Sequence, residues 1–247
     1  MLLRDKTALV TGSNRGIGRA IVERFAANGA SIWAHARSST PELIADMAEC
    51  ADRHGVEIKT ICFDVTDAAA MKAAIKDIVA SGRPIDVLVN NAGVAHGGLF
   101  QMTPMAKIRE VFEINFFAPL AISQAVVAQM RKRGGGSIIN IASIAGLDLQ
   151  AGNAAYGTSK AALVAATKTL AAELGALKIR VNAIAPGLTD TDMAGLMEKK
   201  AGADMVERTA FKRLGTPTEI ADTAVFLASE LAAFVTGQVL RADGGTT

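Results

Sequence analysis

Thr7-Ala8-Leu9-Val10-Thr11-Gly12-Ser13-Asn14-Arg15-Gly16-Ile17-Gly18 carries three signals in succession. Residues 7 to 11 form a short apolar run, Gly12 interrupts it, and a stretch of helical periodicity runs from about Gly16 to Asn28 before Gly29 stops it. The order is strand, glycine turn, helix. Glycines at such a turn let the backbone approach phosphate groups and let the helix pack near the strand. The helix N-terminus adds N–H groups and a positive dipole end aimed at the same place, where a dinucleotide pyrophosphate can sit. Gly12, Ser13, Asn14, Arg15, Ile17 and Gly18 are therefore candidate cofactor-binding residues.

The alternation continues beyond this turn. Strand candidates at 31 to 36, 57 to 63, 86 to 90, 137 to 142, 179 to 184 and 237 to 241 are separated by helical segments at 41 to 54, 67 to 81, 104 to 133, 153 to 176 and 217 to 229. Pro41 suits the first position of its helix, and Gly134-Gly135-Gly136 reads as a helix stop. Strands alternating with helices over the whole length predict an α/β, doubly wound fold with a parallel sheet covered on both faces. No linker or change of composition divides the 247 residues, so a single domain is expected.

The composition narrows the functional classes. A formal net charge of +2, with 50% hydrophobic and 20% charged residues, leaves no acidic tail and no basic footprint for nucleic acid. Cys50 and Cys62 cannot build a multi-bridge framework, and their spacing from His35, His54 and His96 does not resemble a metal motif. Both are expected to be buried free thiols, with no metal. Arg4, Asp5 and Lys6 stand where a signal peptide needs an apolar core, which predicts a soluble cytoplasmic protein.

Two further features bear on chemistry. The second strand ends His35-Ala36-Arg37-Ser38, without the carboxylate that would accept hydrogen bonds from a ribose diol. Arg37 and Arg15 can instead donate to a 2′-phosphate, which predicts NADP(H) as cofactor. Tyr156 is the only tyrosine, and Lys160 stands four residues on, one helical turn away on the same face. At roughly 5 Å and an effective dielectric of ~20 an ammonium favours a phenolate by about 3 kcal/mol. The phenol pKa is then expected to fall by ~2 units, into the range of a general acid or base.

Taken with the glycine turn, Asn90-Asn91-Ala92-Gly93 after the fourth strand, Ser143 after the fifth, Tyr156 with Lys160, and Pro186-Gly187 after the sixth resemble the motifs of the short-chain dehydrogenase/reductase family over residues 5 to 245. The resemblance implies a Rossmann-like three-layer sandwich with seven parallel strands in order 3-2-1-4-5-6-7, and hydride transfer between a nicotinamide and a carbonyl or alcohol carbon. It implies that Tyr156 protonates the carbonyl oxygen, that Lys160 lowers its pKa and holds the nicotinamide ribose, and that Ser143 orients the substrate oxygen. Asn115 would support a water chain to the lysine. Asp64 and Val65 would contact the adenine, Asn91, Ala92 and Gly93 would flank the adenosine ribose, and Pro186, Gly187, Thr189 and Thr191 would lie in the loop that contacts the carboxamide. Residues 188 to 213, with Met193, Met197 and Met205, suit a mobile substrate lid.

Within the family, the pattern is similar to bacterial 3-oxoacyl-(acyl-carrier-protein) reductases, implying NADPH-dependent reduction of a 3-oxoacyl thioester. Arg131-Lys132-Arg133 would then be a docking surface for an acidic carrier protein, although Ala172 stands where those reductases usually carry an arginine. Another alcohol, sugar, steroid or ketone is the alternative substrate, and a cofactor-sensing module without turnover is a third reading. The resemblance also implies a homotetramer built on the helices at 104 to 133 and 153 to 176.

Overall fold

Strands covered on both faces need apolar residues in both registers, and β1 (Thr7–Val10) shows the pattern at its smallest. Ala8 and Val10 pack into one layer while Leu9, between them, packs into the other. The computed structural model describes residues 1–191 and 206–246. After β1 come α1 (Gly16–Ala27), β2 (Ser31–Ala36), α2 (Pro41–His54), β3 (Ile58–Cys62), α3 (Ala68–Ala80) and β4 (Val87–Asn90). Then follow α4 (Met105–Phe112), α5 (Ala118–Arg133), β5 (Gly136–Ile141), α6 (Tyr156–Leu174), β6 (Ile179–Pro186), α7 (Pro217–Ala228) and β7 (Val239–Ala242). The seven strands form one sheet in the order β3-β2-β1-β4-β5-β6-β7, and every neighbouring pair is parallel. This is the doubly wound Rossmann-like sandwich expected.

One helical layer contributes Ile21, Val22 and Phe25 of α1, Leu43 and Met47 of α2, and Ile220 and Val225 of α7. The other contributes Met71, Ile75 and Ile78 of α3, and Ile122, Val126 and Met130 of α5. Side-chain caps start three of these helices: Thr40 accepts from Leu43 N at 3.2 Å, Asp67 accepts from Ala69 N and Ala70 N at 2.9 Å, and Thr216 forms a capping box with Glu219. Gly134, at φ 85°, closes α5 in the left-handed conformation.

Three expectations need correction. The predicted helix at 104 to 133 is continuous but contains a π-helical turn, Glu113–Phe117, between α4 and α5. Such a turn inserts one residue into the helical repeat, and hydrophobic periodicity over thirty residues does not register it. Cys62 is exposed, because it ends a strand that pairs with β2 alone at the sheet edge. Cys50 and His54, one turn apart on α2, also meet Glu23 of α1, their ligand atoms within 4.8 Å of one another, a grouping the chain spacing did not suggest. Burial raises the Glu23 carboxyl, but hydrogen bonds from His54, Cys50 and Arg19 and the charge of Arg53 bring it to about 2. Burial and then Glu23 raise the Cys50 thiol to about 11, so the cluster acts as an ionic tie between α1 and α2.

The run Met105–Arg133 is long and apolar enough to cross a bilayer by length and composition. Here Ile122, Val126 and Met130 lay its inner face against the sheet. Its last turn holds Arg131, Lys132 and Arg133 immediately before β5, at the N-terminal edge of the sheet. Ser143 follows the C-terminal end of β5. The basic cluster and the predicted site therefore stand at opposite edges, about 20 Å apart along six residues of strand.

A buried polar chain runs between the sheet and the helices α5 and α6. Asn90 Nδ2 donates to Asn140 Oδ1 at 2.9 Å and to Ser123 Oγ at 3.0 Å, and Asn140 Nδ2 donates to Thr167 Oγ1 at 2.9 Å. It ties β4 and β5 to α5 and α6 through groups that are almost fully buried. Replacing Asn140 by Ala removes an acceptor and a donor at once. Urea unfolding should show a loss of about 2–3 kcal/mol, the range for stranding buried polar groups and opening a small cavity.

Candidate active site

The C-terminal edges of β4, β5 and β6 bring the predicted catalytic residues together. Ser143 follows β5 and caps a short 3-10 turn, Ile144–Gly146, its Oγ accepting from Ala145 N at 3.1 Å. That turn lies directly on α6. A Cβ added at Gly146 would stand 2.7 Å from Ala161 N and from the carbonyl carbon of Lys160, so only glycine allows this approach. Tyr156 opens α6 and is partly buried, and the Ser143 hydroxyl lies close enough to its phenol to favour the ionised form. Lys160 is 4% exposed, its Nζ 6.0 Å from the Tyr156 ring centroid.

The electrostatics differ from the expectation. Burial pushes the Tyr156 phenol above its ordinary value, and the Ser143 hydroxyl only partly opposes this. Lys160 donates to the Ile141 carbonyl at 2.7 Å instead of to the phenol, and burial lowers its own pKa to about 8. The downward shift expected from a lysine one turn away fails for this reason. The ammonium is anchored on β5 and is itself poorly solvated, so near neutral pH the chain holds a protonated phenol.

Asn115 sits in the π-helical turn and is fully buried. Its Oδ1 accepts from Val94 N at 2.9 Å, and its Nδ2 donates to Val94 O at 2.9 Å and to Ser159 Oγ at 3.1 Å. It thereby straps the segment after β4 against α6. A Cβ at Gly93 would lie 3.1 Å from Asn115 Oδ1 and 3.5 Å from Lys160 Nζ, so Asn115, Gly93 and Lys160 form one tight group.

At the nucleotide end, the glycine turn is stitched mainly from within. Asn91 Nδ2 donates to the carbonyls of Thr11 and Gly12, both at 2.9 Å. Thr11 Oγ1 accepts from Asn91 N at 2.9 Å and Ala92 N at 3.0 Å. Ser13 spends both its amide and its hydroxyl on the His35 carbonyl, at 2.8 and 2.9 Å. Asn14 and Arg15 are exposed, and Ile17 is half-buried behind them. Unlike α2, α3 and α7, α1 begins with no side-chain cap, and it carries no acidic residue in its first turn, which suits an anionic ligand at its N-terminus. A Cβ on Gly18 would fall 2.1 Å from the Gly12 carbonyl oxygen and 2.5 Å from Asn91 Nδ2, so the turn closes this tightly only with glycine there. The chain thus fits a pyrophosphate at this point.

Arg37 is exposed at the end of β2, and its charge reaches Asp64, whose Oδ1 accepts from Thr66 N at 2.9 Å and Thr66 Oγ1 at 2.7 Å. Val65, beside it, packs against the core layer that contains α3 and α5. After β6, Gly187 N donates to Ala242 O at 3.0 Å, and Thr189 Oγ1 donates to Gly187 O at 3.1 Å. Thr191 reaches the glycine turn, its Cγ2 3.4 Å from the Cβ position of Gly16. The predicted lid, with Met193, Met197 and Met205, falls mostly outside the described residues. Spacing alone did not single out Thr11, His35, Val94 and Ser159, because each acts through a partner distant in the chain; the Thr-Gly pair at 11 and 12 was the one available hint.

Residues 11–247 match the family described as enoyl-(acyl carrier protein) reductase. The 3-oxoacyl-[acyl-carrier-protein] reductase FabG of Aquifex aeolicus is 35% identical over 244 residues, 98% of each chain. A 3alpha-hydroxysteroid dehydrogenase of Mediterraneibacter gnavus is also 35% identical, over 99% of this chain and 98% of its own. Among solved structures, a 7 alpha-hydroxysteroid dehydrogenase complexed with NADH and 7-oxo glycochenodeoxycholic acid superposes with a TM-score of 0.92 at 33% identity, covering 99% of this chain and 95% of that one. A short-chain type dehydrogenase/reductase from Mycobacterium ulcerans gives a TM-score of 0.93 at 30% identity, covering 99% and 90%. Such identity sustained from end to end, on the same fold, makes this chain a member of the short-chain dehydrogenase/reductase family, an oxidoreductase that works between CH–OH and C=O with a nicotinamide cofactor.

Proposed function

We propose that this enzyme reduces a ketone on an apolar substrate, most readily a 3-oxoacyl thioester, and that it uses NADPH. The observation that carries this reading is the protonated Tyr156 phenol beside Ser143 at the sheet's C-terminal edge, with the buried Lys160 Nζ 6.0 Å from its ring centroid. The nicotinamide, when bound, supplies the hydride to the carbonyl carbon. Ser143 Oγ–H donates to the carbonyl oxygen and Tyr156 Oη gives it a proton as negative charge develops there. Lys160, held by the Ile141 carbonyl, offers positive charge to the phenolate left behind and would be the residue that holds the nicotinamide ribose. Asn115 keeps Val94 and Ser159 in place beside the lysine.

The preference for an apolar substrate rests on the surroundings of the site. Gly98 N donates to Gly152 O at 2.9 Å and Gly98 pairs with Asn153, three residues before Tyr156. Exposed Leu99, Phe100 and Met102 follow that contact, and exposed Leu149 lies on the loop between Ser143 and Tyr156. Such a rim favours hydrocarbon over a sugar. A steroid or another ketone is the second reading, favoured by the hydroxysteroid dehydrogenase relative at the same identity as the acyl-carrier reductase. The distance of Arg131-Lys132-Arg133 from its own chain's site leaves carrier-protein docking resting on the relatives alone. NADPH oxidation with acetoacetyl-CoA, a 3-oxoacyl carrier protein, an oxo-steroid and small ketones separates the readings. The proposal requires kcat/KM for one of the thioesters to exceed that for the oxo-steroid, and the reverse order establishes the alternative.

For the cofactor, the support is the absence of a carboxylate at the end of β2 and the exposed Arg37 there, with Arg15 at the turn. Combining Ala36→Asp with Arg37→Ala should shift kcat/KM from NADPH toward NADH, and an unchanged ratio removes the assignment. We also assign a homotetramer, supported by Ala161, Ala162, Ala165, Ala166 and Ala172 on the incompletely buried side of α6, whereas Ala171 is spent on the core. Light scattering should give the mass of four 25.6 kDa chains.

Two outcomes follow for catalysis. Tyr156→Phe should lower turnover by roughly 10²–10⁴-fold, the contribution of a general acid, while NADPH binding stays near the wild-type value. Ketone reduction should also decline as pH rises through about 8, where Lys160 loses the proton whose charge supports the departing phenol proton. A rate independent of pH from 6 to 10 would contradict the role given to Lys160.

A further inference from the structure

His35, at the penultimate position of β2, is held by two backbone partners of opposite sense. Gly12 N–H donates to its Nδ1 at 3.2 Å, and its Nε2 lies 2.9 Å from the Phe63 carbonyl oxygen. A carbonyl can only accept, so Nε2 must carry the proton. An amide N–H can only donate, so Nδ1 must be bare. Only the neutral Nε2–H tautomer satisfies both. The ring is 2% exposed and lies against Phe63 with centroids 4.1 Å apart. The His35 carbonyl meanwhile accepts from both Ser13 N and Ser13 Oγ. The first residues of the glycine turn are thus bonded to this one residue from both its side chain and its main chain.

A second proton, on Nδ1, would set two donors against each other and break the bond to Gly12. The charged groups facing the ring are few. Asp64, beyond β3, favours the proton and is itself offset by Arg37 beyond β2, while Gly12 and Ser13 of the turn present only neutral groups. Burial dominates these and holds the imidazole below its ordinary 6.5.

We propose that His35 is a positioning residue for the nucleotide: its neutral imidazole holds Gly12 in the conformation that receives the pyrophosphate, and a proton on Nδ1 releases the turn and weakens binding. The inference rests on the reading of this turn as the pyrophosphate site. The sign follows from linkage. The closed turn excludes a proton that the open turn accepts, so its stability over the open turn is full above about pH 6.5 and declines below it, and affinity falls once the open turn becomes populated.

Fluorescence titration of the full chain with NADPH and NADH from about pH 5 to 8 tests this, using wild type, His35→Asn and His35→Leu, with circular dichroism confirming the fold at each pH. Asn retains an acceptor near the Nδ1 position and does not titrate. Wild type should lose about tenfold in NADPH affinity between pH 7.5 and 5 relative to His35→Asn, a ratio in which ionisation of the nucleotide's own phosphates cancels. His35→Leu should bind about tenfold more weakly than wild type at pH 7.5, because it strands the Gly12 N–H. Parallel pH curves for wild type and His35→Asn overturn the proposal even if His35→Leu does not fold, and so does wild-type affinity in His35→Leu. Failure of wild type to bind either nucleotide at any pH overturns instead the reading of the turn.

Discussion

The hydrogen bond from the Lys160 ammonium to the Ile141 carbonyl is the contact on which the site's arrangement depends. It joins α6 to the last residue of β5 and fixes the first turn of the helix, and therefore Tyr156, over the end of the strand that delivers Ser143. An ammonium removed from water is costly unless it is bonded and serves a purpose. Its lowered pKa, about 8, records that cost. The same burial raises the phenol. Desolvation thus makes the lysine surrender its proton more readily and the tyrosine hold its own more firmly, so the two groups move apart in acidity. The phenol therefore stays protonated near neutral pH and holds its proton until negative charge develops on the substrate oxygen that receives it.

The nucleotide end follows a different design. There the side chains named by the motifs mostly shape backbone. Asn91, Thr11, Ser13 and His35 are occupied with one another's amides and carbonyls, and they hold Gly12 and Gly18 where a side chain would collide. The glycine turn is a rigid cradle because its supports come from β2, from the segment after β4 and from the turn itself. An anion arriving at the uncapped α1 N-terminus meets groups already oriented, which reduces the ordering that binding must impose.

Much of this fold was legible in the sequence, because strands buried on both faces produce dense apolar runs and glycine or proline punctuates them. The strand at 31 to 36 and the helix at 41 to 54 were found at the predicted residues. Less legible was anything set by contacts between distant segments. The π-helical turn around Asn115 leaves helical periodicity intact, yet it aims that side chain at Val94 and Ser159. The partner chosen by Lys160 was also invisible, since spacing places it near Tyr156 and says nothing of a carbonyl nineteen residues earlier. From that omission came the wrong sign for the phenol shift. Cys62 likewise looked internal by composition and lies exposed at the sheet edge, a position that depends on strand order.

The sole tyrosine makes the central claim directly measurable, because phenolate absorbance in this chain reports Tyr156 alone. Ultraviolet difference titration of the protein without nucleotide should show ionisation above the ordinary phenol value of about 10. That result is the one required if Tyr156 is a neutral acid ready to protonate a carbonyl oxygen. Ionisation complete by about pH 8 would instead show a phenolate at the working pH and contradict the account.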